Sequence, residues 1–177
     1  NYINELYLND IETDKKIFFR DGDLIFDSTD PVQLPDSSTW IATGNMTIRG
    51  KIDMGKFTRF ITSDTLSVDA EMNGEHTLFY TGRSMSVGGE SVLPGQFFSE
   101  GDIEFFGNTY LTYPSLIYSK PGLVGTVKTG KIVLRDKVKL DGVVMLPDIE
   151  EGLATDDRSL ITIGEEVIVR GSLYNTS

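Results

Sequence analysis

One histidine, several acidic stretches and a group of tyrosines are the residues of this chain that could do chemistry. His76 is the only histidine. It sits in Asn73-Gly74-Glu75-His76, a turn composition, and a general base also needs positioned partners. We read it as a turn residue. Asp156 and Asp157 form an adjacent carboxylate pair, and hydrolysis of a glycosidic bond needs two carboxyls acting as acid and base. Alternation along an extended chain sends neighbours to opposite faces, so the pair reads as a solvated acidic loop. Asp21-Gly22-Asp23, and Asp148 with Glu150 and Glu151, offer oxygen ligands for calcium. Neither a twelve-residue calcium loop nor a recurring Gly-Gly-x-Gly-x-Asp segment accompanies them, and we assign no metal. The chain has no cysteine, which removes thiolate metal sites and a disulfide frame. Tyr110, Tyr113 and Tyr118 lie near Pro114 and Pro121. Pointing outward they could stack on sugar rings, which makes them the ligand-binding candidates. The competing reading is that aromatics at repeat positions fill the interior. The expectation is therefore no catalytic residue, no cofactor and no enzymatic activity.

The elements that would position these side chains follow one pattern. In Gly101-Asp102-Ile103-Glu104-Phe105-Phe106-Gly107, apolar residues fall two and four places after the first glycine, the period of a strand with one buried face. The same unit starts at Gly22, Gly44, Asp64, Arg83, Gly130 and Ser159. A strand-like element precedes most copies: Ile17-Phe18-Phe19, Trp40-Ile41-Ala42, Phe60-Ile61-Thr62, Leu78-Phe79-Tyr80, Phe97-Phe98-Ser99 and Leu116-Ile117-Tyr118. A third element follows several, as in Ile52 with Met54 and Val138 with Leu140. One repeat is three short strands separated by bends. Repeats of about 20 residues are the mark of a solenoid, in which stacked coils bury a face that one coil cannot.

The fold expected is all-β, a right-handed parallel β-helix of about seven coils. A β-sandwich or barrel is the alternative, since short alternating strands with glycine-rich turns describe those too. Residues 1–16 fit the repeat poorly and read as an N-terminal cap. Residues 17–177 form the β-helix domain, with loops at 120–128 and 147–158.

Composition supports one packed domain: 39% hydrophobic and 10% aromatic residues supply a core. The net charge of −11 argues against nucleic acid as a partner, because a phosphate backbone needs a basic footprint. No apolar run is long enough to cross a bilayer. The chain lacks an initiating Met and a signal peptide, so we expect a trimmed segment of a longer polypeptide. The coil from Val167 through Val169 and Leu173 to Tyr174 is strongly patterned and close to the end. We expect assembly there, through a bare strand edge that meets another copy end to end or another protein.

The Gly-x-apolar-x-apolar-x-Gly rungs of Gly44 to Gly50 and Gly101 to Gly107 resemble those of bacterial polymer-forming β-helix proteins of the bactofilin type. That resemblance covers residues 17–174. It implies a three-sided β-helix that assembles as a scaffold at the cell envelope. The expected function is a non-enzymatic structural or interaction protein of the bacterial envelope or cell surface, periplasmic or extracellular. The alternative is a carbohydrate-binding or polysaccharide-processing β-helix. The expected partners are the protein itself, other envelope proteins, or glycans.

Overall fold

A computed structural model describes residues 2–3, 7–8, 16–120, 122–124, 127–147 and 161–175, with the backbone alone described for 2–3, 7–8, 122–124 and 127–129. Asp148, Glu150, Glu151, Asp156 and Asp157 lie outside the described residues, as does most of the 147–158 loop. The regular elements are all strands. β1 (Tyr2–Ile3) and β2 (Tyr7–Leu8) come first. The winding then runs through β3 (Ile17–Arg20) and β4 (Leu24–Gln33), β5 (Thr39–Ala42) and β6 (Met46–Asp53), β7 (Arg59–Thr62) and β8 (Leu66–Asn73). It continues with β9 (Thr77–Thr81) and β10 (Met85–Leu93), β11 (Gly95–Ser99) and β12 (Ile103–Phe105), and β13 (Tyr110–Ser119). A hairpin, β14 (Gly122–Val124) with β15 (Val127–Thr129), leaves the winding within the expected 120–128 loop. β16 (Ile132–Leu134), β17 (Lys139–Leu146), β18 (Ile161–Ile163) and β19 (Ile168–Asn175) complete it.

Each strand of the winding pairs in parallel with the strand one turn away, which makes the fold a parallel β-solenoid. The parallel, in-register pairing rules out the sandwich and barrel alternatives. The first apolar residues of all seven copies of the unit stand in one column: Leu24, Met46, Leu66, Met85, Ile103, Ile132 and Ile161 are paired in succession. Phe26, Ile48, Val68, Val87, Phe105 and Leu134 form a second buried column. About five turns are closed wholly by described residues, slightly fewer than the seven coils expected. Spacing counts rung starts, whereas a turn also needs its other two sides. Five circuits between residues 17 and 115 consist wholly of described residues. The later ones are lengthened by the hairpin and by residues 148–160. At the other end, β1 and β2 pair antiparallel with β4 and β3.

The corners depart from the expected three short strands per turn. β6, β8 and β10 each run through a corner without losing their ladder. In β6 and β10 the corner residue is Gly50 or Gly89, with φ of 91° and 89°, a region glycine enters without steric cost; in β8 the paired position is Ala70. A Cβ at Gly50 would also lie 1.8 Å from the Ser28 carbonyl oxygen, so the two turns approach closely there.

Inside, Phe18, Trp40, Phe60, Phe79, Phe97 and Ile117 form a column under the first side. The rings of Phe60 and Phe79 stack with centroids 5.3 Å apart, and Trp40 stacks on Phe18 at 3.8 Å. A hydroxyl ladder runs beside them. Thr62, Thr81, Ser99 and Ser119 are buried, and they donate to the carbonyls of Gly44, Asp64, Arg83 and Gly101 respectively. Carbonyls at a tight corner have no ladder partner of their own, and these hydroxyls satisfy them. Among the described residues, no helix is long and apolar enough to cross a membrane.

Candidate functional site

Side chains alternate in and out along each strand, so each side of the solenoid carries an outer face as regular as its core. On the first side the outward column is Phe19, Ile41, Ile61, Tyr80, Phe98, Tyr118, Met145 and Tyr174, in continuous register. Every member is apolar or aromatic. Beside it stand Ile17, Thr39, Arg59, Leu78, Gln96, Leu116, Val143 and Ser172. Neither column holds a carboxylate, and Arg59 is the single charge in the two. Phe19 is 44% exposed, Met145 37% and Tyr174 52%, while Ile41, Ile61, Tyr80, Phe98 and Tyr118 between them are partly buried. At ~4.8 Å per rung the strip is about 34 Å long. Contiguous apolar surface of this extent makes the strip the candidate interaction site.

The other outer faces contrast with it. They carry ion pairs between adjacent turns: Asp27 with Arg49, Glu71 with Lys51 at 2.8 Å, Asp64 with Arg83, and Glu104 with Arg135 at 2.5 Å. The hydrogen bond to Glu104, and then its charge, raises the Arg135 pKa, and Glu71 raises that of Lys51 in the same way. The outward ring of Phe106 on the second side is sheltered. It lies against Gly88, where a Cβ would meet it at 2.2 Å, and the Arg135 guanidinium sits 4.9 Å above it.

At one edge of the apolar strip a groove of about 320 Å³ opens between Phe57, His76, Pro94 and Pro114, with Arg59 and Gln96 among its lining. The His76 ring stacks on Phe57 at 5.0 Å, and both residues have left-handed backbone, φ 54° and 59°. At the other edge the Tyr80 hydroxyl donates to Glu100 at 2.8 Å. That hydrogen bond, and then burial, raises the phenol pKa.

The three tyrosines singled out from sequence do not converge. Tyr118 belongs to the apolar strip, where its ring lies 6.0 Å from Phe98. Tyr110 faces a different side, where its hydroxyl donates to Asp141 at 2.6 Å, a bond that raises its pKa. Tyr113 stands 80% exposed in the bend before Pro114, after which β13 changes register. Of the residues expected at an assembly surface, Val167 and Val169 pack against the core, while Leu173 and Tyr174 are exposed on the last rung. Tyr174 is also the last member of the strip.

Of the carboxylates considered for calcium, Asp21 and Asp23 hold turns together, and Asp102 elsewhere does the same. Asp21 accepts the Thr43 hydroxyl at 2.7 Å, and Asp23 accepts the Asn45 backbone N–H at 2.7 Å. Asp102 accepts two backbone N–H groups, Gly130 at 2.8 Å and Lys131 at 2.9 Å. No group of three metal-ligating side chains occurs among the described residues.

Sequence reasoning missed the strip because it tracked only the buried positions. The signal was present: Phe18-Phe19, Trp40-Ile41, Phe60-Ile61, Phe79-Tyr80, Phe97-Phe98 and Ile117-Tyr118 are apolar at both the inner and the outer place. Comparison with known protein families, with characterised proteins and with solved structures finds no match.

Proposed function

We propose that this protein is a non-enzymatic scaffold of the bacterial envelope, a stiff rod that acts by docking through one side. The observation that carries this reading is the carboxylate-free apolar column from Phe19 to Tyr174 on an otherwise acidic chain. A solenoid holds such a column straight, since each residue is fixed by parallel neighbours above and below. Kinship with bactofilin-type scaffolds is part of the proposal and rests on the glycine-led rungs. Cosedimentation of the purified chain with an envelope fraction of its source organism tests the reading. The wild type is expected in the pellet and a Phe98→Asp variant in the supernatant. Equal recovery of both in the supernatant overturns it.

A second reading, glycan binding, is favoured by one specific feature. The groove beside the strip combines the Phe57 and His76 rings with the amide of Gln96 and the guanidinium of Arg59, the apolar and polar mixture of a small-ligand site. Titration with neutral and acidic oligosaccharides checks it. Binding lost in Phe57→Ala supports this reading, and the absence of binding by the wild type removes it.

A further inference from the structure

We propose that the apolar outer face joins two copies of this chain, packed sheet against sheet about a two-fold axis. The inference rests on the reading of that face as a docking surface and names its occupant.

Periodicity is the first argument. A partner that fills the strip must be straight and must offer side chains at the rung spacing of ~4.8 Å. A second copy offers that spacing by construction, and a two-fold contact is self-complementary and closes on itself. An axis at the middle of the column brings Tyr80 of one copy against Phe98 of the other. Aromatic residues at the centre of an interface are where binding energy concentrates. Sheets that pack in this way lie ~10 Å apart with their strands within about 30° of alignment.

Charge is the second argument. At −11 each, two copies repel over most of their surfaces. The two columns of the strip contain no carboxylate, and the one at its edge beside the axis, Glu100, is held by the Tyr80 hydroxyl and paired with Lys120. The strip's chemistry also separates a protein from a glycan. Ile41, Ile61, Leu116 and Val143 offer no hydrogen bond to a sugar hydroxyl, and they match the aliphatic half of an identical face.

Area sets the strength. A strip ~34 Å long and four residues, or ~13 Å, wide covers about 440 Å² per copy. The total of roughly 900 Å² falls just short of the ~1,000 Å² at which specific interfaces begin. The dimer is therefore reversible, dissociating on dilution.

Sedimentation velocity across a concentration series tests this on the purified chain. The wild type is expected to shift from monomer to dimer with rising concentration. Phe98→Asp and, separately, Ile61→Asp are expected to weaken dimerisation at least tenfold while keeping the wild-type unfolding midpoint. Ser86→Asp, outward on the second side, leaves it unchanged. A wild type that stays monomeric at every concentration overturns the proposal, as does a dimer that survives both strip variants. The envelope test fails separately. A Phe98→Asp monomer that still cosediments refutes docking through the strip but supports the dimer. A monomeric wild type whose cosedimentation needs Phe98 refutes the dimer alone.

Discussion

Phe97 lies flat on Phe79, with ring centroids 5.0 Å apart and planes within 4°. Both are fully buried. The stack continues to Phe60 and turns edge-on at Phe105. Removing one ring leaves a cavity that parallel neighbours on both sides hold open. Phe79→Ala is expected to cost ~3–5 kcal/mol in denaturant unfolding. Val92→Ala, at a position 48% exposed, is expected within about 0.5 kcal/mol of wild type.

The buried hydroxyl ladder is testable at Thr81, whose hydroxyl donates to the Asp64 carbonyl. Thr81→Val keeps the volume and strands that carbonyl inside the protein. A loss of about 1–3 kcal/mol is expected. Ser67→Ala, outward and exposed, serves as the control and is expected near zero.

Two glycines separate backbone conformation from close approach. Gly22 and Gly50 have nearly the same φ, 93° and 91°, but nothing lies within 4 Å of a Cβ built at Gly22. Gly22→Ala is expected to cost ~1–2 kcal/mol, the penalty of left-handed backbone. Gly50→Ala adds the collision with Ser28, a further ~1–3 kcal/mol. Equal losses in the two variants would show that the turns do not touch at Gly50.

Alkaline pH reaches Tyr80. Its phenol pKa is raised in the fold by the hydrogen bond to Glu100 and by burial. The folded state therefore holds the proton more tightly than the unfolded chain. This contribution is complete below about pH 10, the ordinary phenol value, and is lost as pH rises through the folded value. Tyr80→Phe is expected to flatten that alkaline decline in stability, measured by thermal unfolding across the pH range.

The winding was legible because its cause is local. Alternation within each rung is set by the pleat, so the first apolar residues of all seven rungs, Leu24 to Ile161, fall in one column. That the aromatic-rich elements before each rung are strands was legible for the same reason. What the pattern concealed depends on which of two apolar neighbours faces water. In Phe97-Phe98 the chemistry of the two residues is identical, and only the direction of the neighbouring strand decides that Phe97 is buried and Phe98 belongs to the outer strip. The roles of Asp23, Asp36 and Asp102 were hidden differently. Each carboxylate accepts a backbone N–H from the next turn, a contact 20 or more residues away in sequence that composition reads as solvated surface. The tyrosines near Pro114 were grouped by proximity along the chain, but the bend after Leu111 distributes them over different sides.

The central claim is that like positions of successive repeats stack in register along one axis. Spin labels on the outward column Ile25, Thr47, Ser67, Ser86, Glu104, Val133 and Thr162 measure this directly. With one label at Thr162 and the second at Ser67, Thr47 or Ile25, four, five or six rungs away, pulsed electron resonance is expected to give distances near 19, 24 and 29 Å, one rung of ~4.8 Å apart. Distances that fail to grow in that order, or steps that depart from the rung spacing, would contradict the solenoid and the outer strip that depends on it.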